Sequence, residues 1–244
     1  MGLIRPDQPE FDLDEWRAQP YFERLRWMCV TWCTQGFGAP DVVYVLYLIK
    51  IVCYVGGFFL FAALTPELGG PLSVGSWWSE VAAFEKAVVW TMLFEVMGLG
   101  CGSGPLTGHY RPMFPALRHW LRPGTTRLRP FTWVPFTAGH RRTWVDVALY
   151  VAALACMLRA LLAATVGVGE LLPIVVLLCV LGLRDKTIFL AARSEHYLMT
   201  VVALLFATDA IAGAKTVQLI LWLGAATSKL THHFPNVMAI MQSN

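Results

Sequence analysis

Charge is what this chain has least of. Asp, Glu, Lys and Arg make up 14% of its 244 residues, where soluble domains carry about 25%. Hydrophobic residues reach 57%, and mean hydropathy is +0.56. A soluble domain of this size has too little interior to hide that much apolar surface, so lipid must be the solvent for much of the chain. The net charge of +3 is too small for a nucleic-acid protein, and no nucleic-acid partner is expected.

Paired cysteines are lacking too. Cys29, Cys33, Cys53, Cys101, Cys156 and Cys179 form no Cys-x-x-Cys unit and no framework spacing; they read as six unpaired thiols, three of them small hydrophobes in apolar runs. The start of the chain has no signal-peptide pattern, because Arg5 is followed by Asp7, Glu10, Asp12 and Asp14 rather than by an apolar stretch.

The loops that carry common chemistries are missing as well. The glycines at 98, 100, 102, 104 and 108 invite comparison with a phosphate-binding loop. A Gly-x-Gly-x-x-Gly frame fails at Ser103, Pro105 and Thr107, and no Gly-Lys-Ser/Thr occurs. Ser103 lacks a nucleophile-elbow frame, since Cys101 and Pro105 flank it. Six histidines, with no His-x-x-x-His pair, exclude a membrane di-iron centre. Glu195, His196, His232 and His233 would make a small metal site on the cytoplasmic side, but these histidines read first as neutral interfacial residues. No metal site and no cofactor are expected.

What is present is a series of apolar runs. They predict an all-α membrane protein, a polytopic bundle of about six transmembrane helices. The expected spans are 42–64, 77–100, 144–166, 171–192, 197–212 and 216–228. The fourth has its apolar run at 171–183 and reaches 192 only through Arg184-Asp185-Lys186; that run and the last two spans are shorter than the ~20 residues a perpendicular helix needs, so one of them is re-entrant or its bounds are too tight. Residues 1–41 form a separate cytoplasmic or interfacial segment. Asp12 is a candidate cap for a short helix, and a second helix starts at Pro20. Phe22, Leu25, Cys29, Trp32 and Cys33 then share one face, as in an amphipathic interfacial helix. Packing against another part of the protein would give the same spacing. Trp77 and Trp78 read as an interfacial anchor.

Basic residues set the orientation. With the N-terminus inside, fifteen of the 19 Lys and Arg fall in cytoplasmic segments, three in spans and one in the external turns. That is a strong positive-inside signal.

Four intramembrane charges stand out: Lys50, Glu85, Glu95 and Arg159. Each needs protein or water beside it and a partner. Lys50 lies roughly 13 Å and Glu95 roughly 8 Å from the cytoplasmic side, at ~1.5 Å per residue. A Lys50–Glu95 pair is therefore expected. Glu85 and Arg159 match in depth near the outer side, which predicts a second pair. These charges act as structural glue or line a polar pocket.

The cytoplasmic stretch 98–142 holds seven arginines. Arg122, Arg127 and Arg129 are candidates for a lipid phosphate, and Trp120, Phe131, Trp133 and Phe136 suit the headgroup zone. The same charges also serve simply to set topology.

Several pieces of the chain are distinctive together. They are Trp16-Arg17, Gly36-Phe37-Gly38, Leu46-Tyr47-Leu48-Ile49-Lys50, the segment from Gly100 to Gly108, Leu121-Arg122-Pro123-Gly124-Thr125-Thr126, Ser228-Lys229-Leu230 and His233-Phe234-Pro235. With them the chain resembles, from end to end, a family of bacterial multi-pass membrane proteins of actinobacteria and some proteobacteria, known only as a domain of unknown function. The resemblance implies an inner-membrane location and a chain that corresponds to the N-terminal half of longer members. It brings no activity and no catalytic residue.

Two functions are expected from these features. One is a membrane-embedded enzyme or carrier for a lipid or polyprenyl substrate at the cytoplasmic face, with anionic lipid as partner. The other is a non-catalytic membrane subunit or scaffold that docks a partner protein or a C-terminal half. A transporter ranks third, without inverted repeats or paired broken helices to support it.

Overall fold

The computed structural model of the chain describes residues 12–35, 42–100, 115–190, 192–231 and 234. Helices account for the regular structure, and no strand occurs among the described residues. A lone antiparallel bridge joins Thr126 to Arg141. The chain divides into two compact units, residues 1–46 with 220–244 and residues 47–219.

In the first unit, α1 (Leu13–Ala18) is capped by Asp12, whose carboxylate accepts from the Asp14 and Glu15 amides at 2.9 and 3.0 Å. An acidic cap suits the positive end of a helix. Helix α2 (Tyr21–Gln35) follows directly, and the Pro20 carbonyl accepts its first bond, from Arg24. The Trp16 indole donates to the Arg24 carbonyl at 3.0 Å, and the Arg24 guanidinium lies over the Trp16 ring. Leu25 is buried and Phe22 exposed. The side chains of Cys29, Trp32 and Cys33 lie outside the described residues.

The second unit takes most of α3 (Val42–Ala63), then α4 (Val74–Trp77), α5 (Val81–Val96), α6 (Pro115–Leu121), α7 (Trp144–Leu162), α8 (Val168–Arg184), α9 (Thr187–Leu190), α10 (Ser194–Phe206) and the first half of α11 (Ala210–Ser228). Helices α5, α7, α8 and α10 pack together. Their shared core holds Val89, Met92 and Leu93 of α5, Tyr150 and Met157 of α7, Ile174 and Leu178 of α8 and Val201 of α10.

Helix α5 is the least apolar of the expected spans and also the innermost. Glu85, Lys86 and Glu95 are all buried on it. This follows from its composition: charges cannot face lipid, so the helix that carries them must be wrapped by the others.

Three helices are long and apolar enough to cross a bilayer: Tyr44–Ala63, Trp144–Leu162 and Ala210–Ser228. Helices α5, α8 and α10 have 16, 17 and 13 residues. At ~1.5 Å per residue they fall short of a ~30 Å hydrocarbon core.

The division near the end of the chain also differs from expectation. Asp209, read as lying inside a span, sits at the N-cap of α11 and accepts from the Ala212 amide at 2.9 Å. The break therefore comes at 207–209, and α11 starts six residues before Thr216. The cause is ordinary capping chemistry: an Asp before an apolar run satisfies the orphan amides of a new helix. Likewise Asp185 is extended and ends α8 at Arg184.

Cys53, Cys156 and Cys179 are free thiols. Cys101, with Gly102, Ser103, Gly104 and Gly108 of the glycine run, and the histidines at 109, 232 and 233 lie outside the described residues.

Candidate functional site

One end of the four-helix core collects the buried ion pairs found among the described residues. The C-terminal end of α5 meets the N-terminal end of α7, where the Tyr150 hydroxyl donates to the Val96 carbonyl at 2.8 Å. Tyr197, in the first turn of α10, hydrogen-bonds the Thr91 side chain and lies within the field of Glu95. The end of α8 comes to the same place through its last arginine. The sequence reading put all of these helix ends on one side, and here they converge in space.

The outer layer of this end is a buried ion network. Asp146 is the third residue of α7 and belongs to a capping box: Thr143 Oγ1 accepts from its amide, and its carboxylate accepts from the Thr143 amide at 2.7 Å. The same carboxylate accepts from Arg127 Nη1 at 3.0 and 3.2 Å and from Arg184 Nε at 2.6 Å. Arg127 Nη2 donates onward to the carbonyls of Thr137, Ala138 and Gly139 at 2.9, 2.6 and 3.2 Å. Gly139 turns at φ +96°, a conformation glycine adopts without penalty, as the chain bends around the guanidinium.

A second carboxylate, Asp185, accepts from Arg142 Nη2 at 2.7 Å. It also accepts from the Leu128 amide, the Thr187 amide and the Thr187 hydroxyl. Arg142 stacks over the Trp120 ring, 4.4 Å from its centroid, and Trp120 stacks on Tyr150. Loop 122–143 is thus folded onto the ends of α7 and α8 by two carboxylates and three guanidinium groups. The three-to-two ratio leaves the cluster net positive. Arg127 Nε and Arg142 Nη1 are buried and make no hydrogen bond among the described residues.

His119 sits at the edge of this network, outside the apolar spans. Burial, and after it the Arg142 guanidinium, hold its imidazole below the usual 6.5; Asp185 and the Thr126 backbone pull the other way without restoring it. The unfolded chain therefore binds a proton that the folded chain refuses. The contribution to stability is intact above 6.5 and is lost as pH falls through and below that value. Comparing unfolding midpoints at about pH 8 and about pH 5, the chain should lose more on acidification than a His119→Gln variant does.

Beneath the Trp120–Tyr150 layer lies a second polar group. Lys50 Nζ donates to the Gly100 carbonyl at 3.2 Å. The Glu95 carboxylate accepts from the Tyr54 hydroxyl and lies against the Gly100 backbone, where a Cβ would come within 2.1 Å of it. Lys50 and Glu95 therefore both reach Gly100, and a side chain at that position would displace the Glu95 carboxylate.

The structure separates Glu85 from Arg159. Arg159 Nη2 donates to the Gly169 carbonyl, and the guanidinium lies 3.9 Å from Glu170. The reason is local: Pro173 inside α8 has no N–H to give the Gly169 carbonyl, and Arg159 takes its place. The residue on α5 that reaches α7 is Lys86, fully buried, whose Nζ donates to the carbonyls of Ala160, Leu161 and Ala163 at 3.0, 2.8 and 2.6 Å. An ammonium group there meets the negative end of the α7 dipole. Matching depths had pointed to Glu85, but one residue along a helix is a turn of 100°, and the neighbour faces α7.

Of the three lipid-phosphate candidates, Arg127 is fully buried in the network, whereas Arg122 is exposed and Arg129 half-buried. Neither of the latter two uses its guanidinium in a hydrogen bond or ion pair among the described residues. The sequence reading missed Asp146, Asp185, Arg142 and Arg184. Thr143-x-x-Asp146 ahead of an apolar run was the signal that would have found the first of them.

Apolar helices long enough to span, a charged helix hidden among them and ion pairs gathered at one end of the bundle define an integral membrane protein. More particularly, the chain belongs to the family described as transmembrane protein of unknown function (DUF3556), and the match covers residues 1–244. No curated protein and no solved structure matches it at a significant level.

Proposed function

We propose that the chain binds a phosphate-bearing lipid, a polyprenyl phosphate or an anionic phospholipid, at the polar end of the bundle. The observation that carries this reading is uncompensated charge. Residues 101–143 contain seven arginines and no Asp or Glu. Among the described residues the carboxylates paired with this loop, Asp146 and Asp185, are taken up by Arg127, Arg142 and Arg184. Among the described residues the Arg122 guanidinium and the Arg129 Nη groups have no acceptor, and a guanidinium of that kind suits a phosphate. Lys50 and Glu95 lie in the layer beneath as the polar floor of the same end.

In this reading the chain sits in a bacterial inner membrane with its N-terminus and basic end cytoplasmic. Six helices cross, the shorter α5, α8 and α10 doing so in the company of the long ones, and α2 lies along the surface. The alternation of helix direction in the core supports that topology.

Native mass spectrometry of the chain purified in mild detergent with phosphatidylglycerol tests the binding. A retained lipid adduct is expected, and Arg122→Gln with Arg129→Gln should abolish it while the unfolding midpoint stays within a few degrees. Equal adducts on both proteins would sink the reading. The alternative, a non-catalytic subunit, rests on α11, an apolar helix of span length with no buried residue. It predicts a stoichiometric protein partner in place of the lipid.

A further inference from the structure

We propose that residues 128–136 form a clamped aromatic wedge that lies in the headgroup–acyl boundary of the bilayer, in the leaflet next to the basic end. The inference does not depend on Arg122 and Arg129 holding a phosphate.

The first ground is exposure. Leu128 and Phe131 are exposed, Trp133 is 78% exposed and Phe136 90% exposed. Phe131 and Trp133 pack on one another, 5.7 Å between centroids, and cover none of the core. Four large apolar side chains exposed within nine residues mark a surface that something apolar covers.

The second ground is that the wedge is held in shape. Its C-terminal end is gripped by two arginines: Arg184 Nη1 donates to the Phe136 carbonyl, and Arg127 Nη2 to the three carbonyls that follow. Thr137 Oγ1 donates back to the Val134 carbonyl at 2.8 Å. At the other end, the Leu128 amide and carbonyl are bound by Asp185 and by the Lys186 amide. Phe136 itself adopts φ +63°, a left-handed conformation that a bulky side chain avoids. The surrounding bonds enforce it, and the result is a phenyl ring turned fully outward.

The third ground is level and charge, and these name the occupant. The same arginines bind Asp146, in the first turn of the candidate span α7, so the wedge is fastened at the depth where a span begins. Trp144, the first residue of that span, is also exposed. Residues 130–139 carry no charged side chain, and the stretch is flanked by Arg129 on one side and His140-Arg141-Arg142 on the other. An uncharged aromatic centre edged by the exposed His140 and Arg141 matches the boundary of a bilayer, with rings at the level of the glycerol backbone and the basic edge toward the phosphates. Trp120, expected in the same zone, is instead buried as the floor under Arg142.

The test is fluorescence from Trp133 alone, taken as the difference between the full chain and its Trp133→Phe variant in phosphatidylcholine vesicles. Most of the difference signal should be lost when the lipids carry bromine on the upper acyl chain, and aqueous iodide should leave it intact. Quenching by iodide but not by bromolipid would put the loop in water. Quenching by neither would put it under protein. Either result overturns the proposal. Phe136→Trp in the Trp133→Phe background supplies a second reporter, and it should give the same pattern.

Discussion

Asp146→Ala is expected to cost roughly 3–5 kcal/mol, the range seen when one partner of a buried ion pair is removed. The carboxylate is 1% exposed and Arg127 0% exposed. Taking it away leaves the Arg127 guanidinium in a closed cage of carbonyls without a counter-ion. Arg184 suffers less, because it is 13% exposed and can turn toward water. The loss should appear as a lower unfolding midpoint in detergent and as faster amide exchange throughout loop 122–143. Asp146→Asn keeps the shape of the side chain and one capping acceptor, so it should recover part of the stability. Adding Arg127→Met to Asp146→Ala should restore more, since the stranded charge is then gone. Equal instability in the double and single variants would show that the pair is not what holds the loop.

Lys86→Met is the second large effect. Hydrogen bonds from a charged donor contribute about 1.5–3 kcal/mol each when measured singly. Three of them converge on the last carbonyls of α7, and they share one ammonium group, so the sum is not additive. A loss of roughly 3 kcal/mol is expected. Arg159→Met should stay within about 0.5 kcal/mol, because its guanidinium is largely exposed and its partner Glu170 is as well placed for solvent as for the pair. Thermal unfolding of the two variants side by side decides between the geometries. If Arg159→Met were the damaging change, or if Glu85→Gln and Arg159→Met showed a coupling energy, the assignment of Lys86 to the end of α7 would fail.

The contrast shows which parts of this protein were legible in its sequence. Apolar length and basic asymmetry act through the bulk properties of lipid and water. They can be summed along the chain, and the membrane class follows from them without any contact being known. The Asp12 cap was legible for a similar reason, being settled within four residues. Depth was partly legible: Lys50 and Glu95, counted inward from two different helices, both reach Gly100. Azimuth was not. The same depth arithmetic that set Lys50 and Glu95 at one level matched Glu85 to Arg159, and there a rotation of one residue gave the contact to Lys86. Nor was Arg127 readable. Its partner lies nineteen residues on, and its other contacts are carbonyls aimed by the turn at Gly139, which leave no trace in residue type. Arg159 shows a subtler limit. Its acceptor is free only because a proline sits four residues beyond it, so the cause is an absent hydrogen atom on another helix.

Helix α7 is fastened at both ends by charge. At its N-terminal end, Asp146 binds Arg127 and Arg184; at its C-terminal end, Lys86 binds the last carbonyls. A slide of α7 along its own axis by one residue, ~1.5 Å, would stretch ionic bonds at both ends together. So would a tilt against α8 or α5. These three helices therefore behave as a stator, a frame with no soft coordinate along its length. Displacement within this unit falls to α3 and α10, which join that frame through packing and hydrogen bonds.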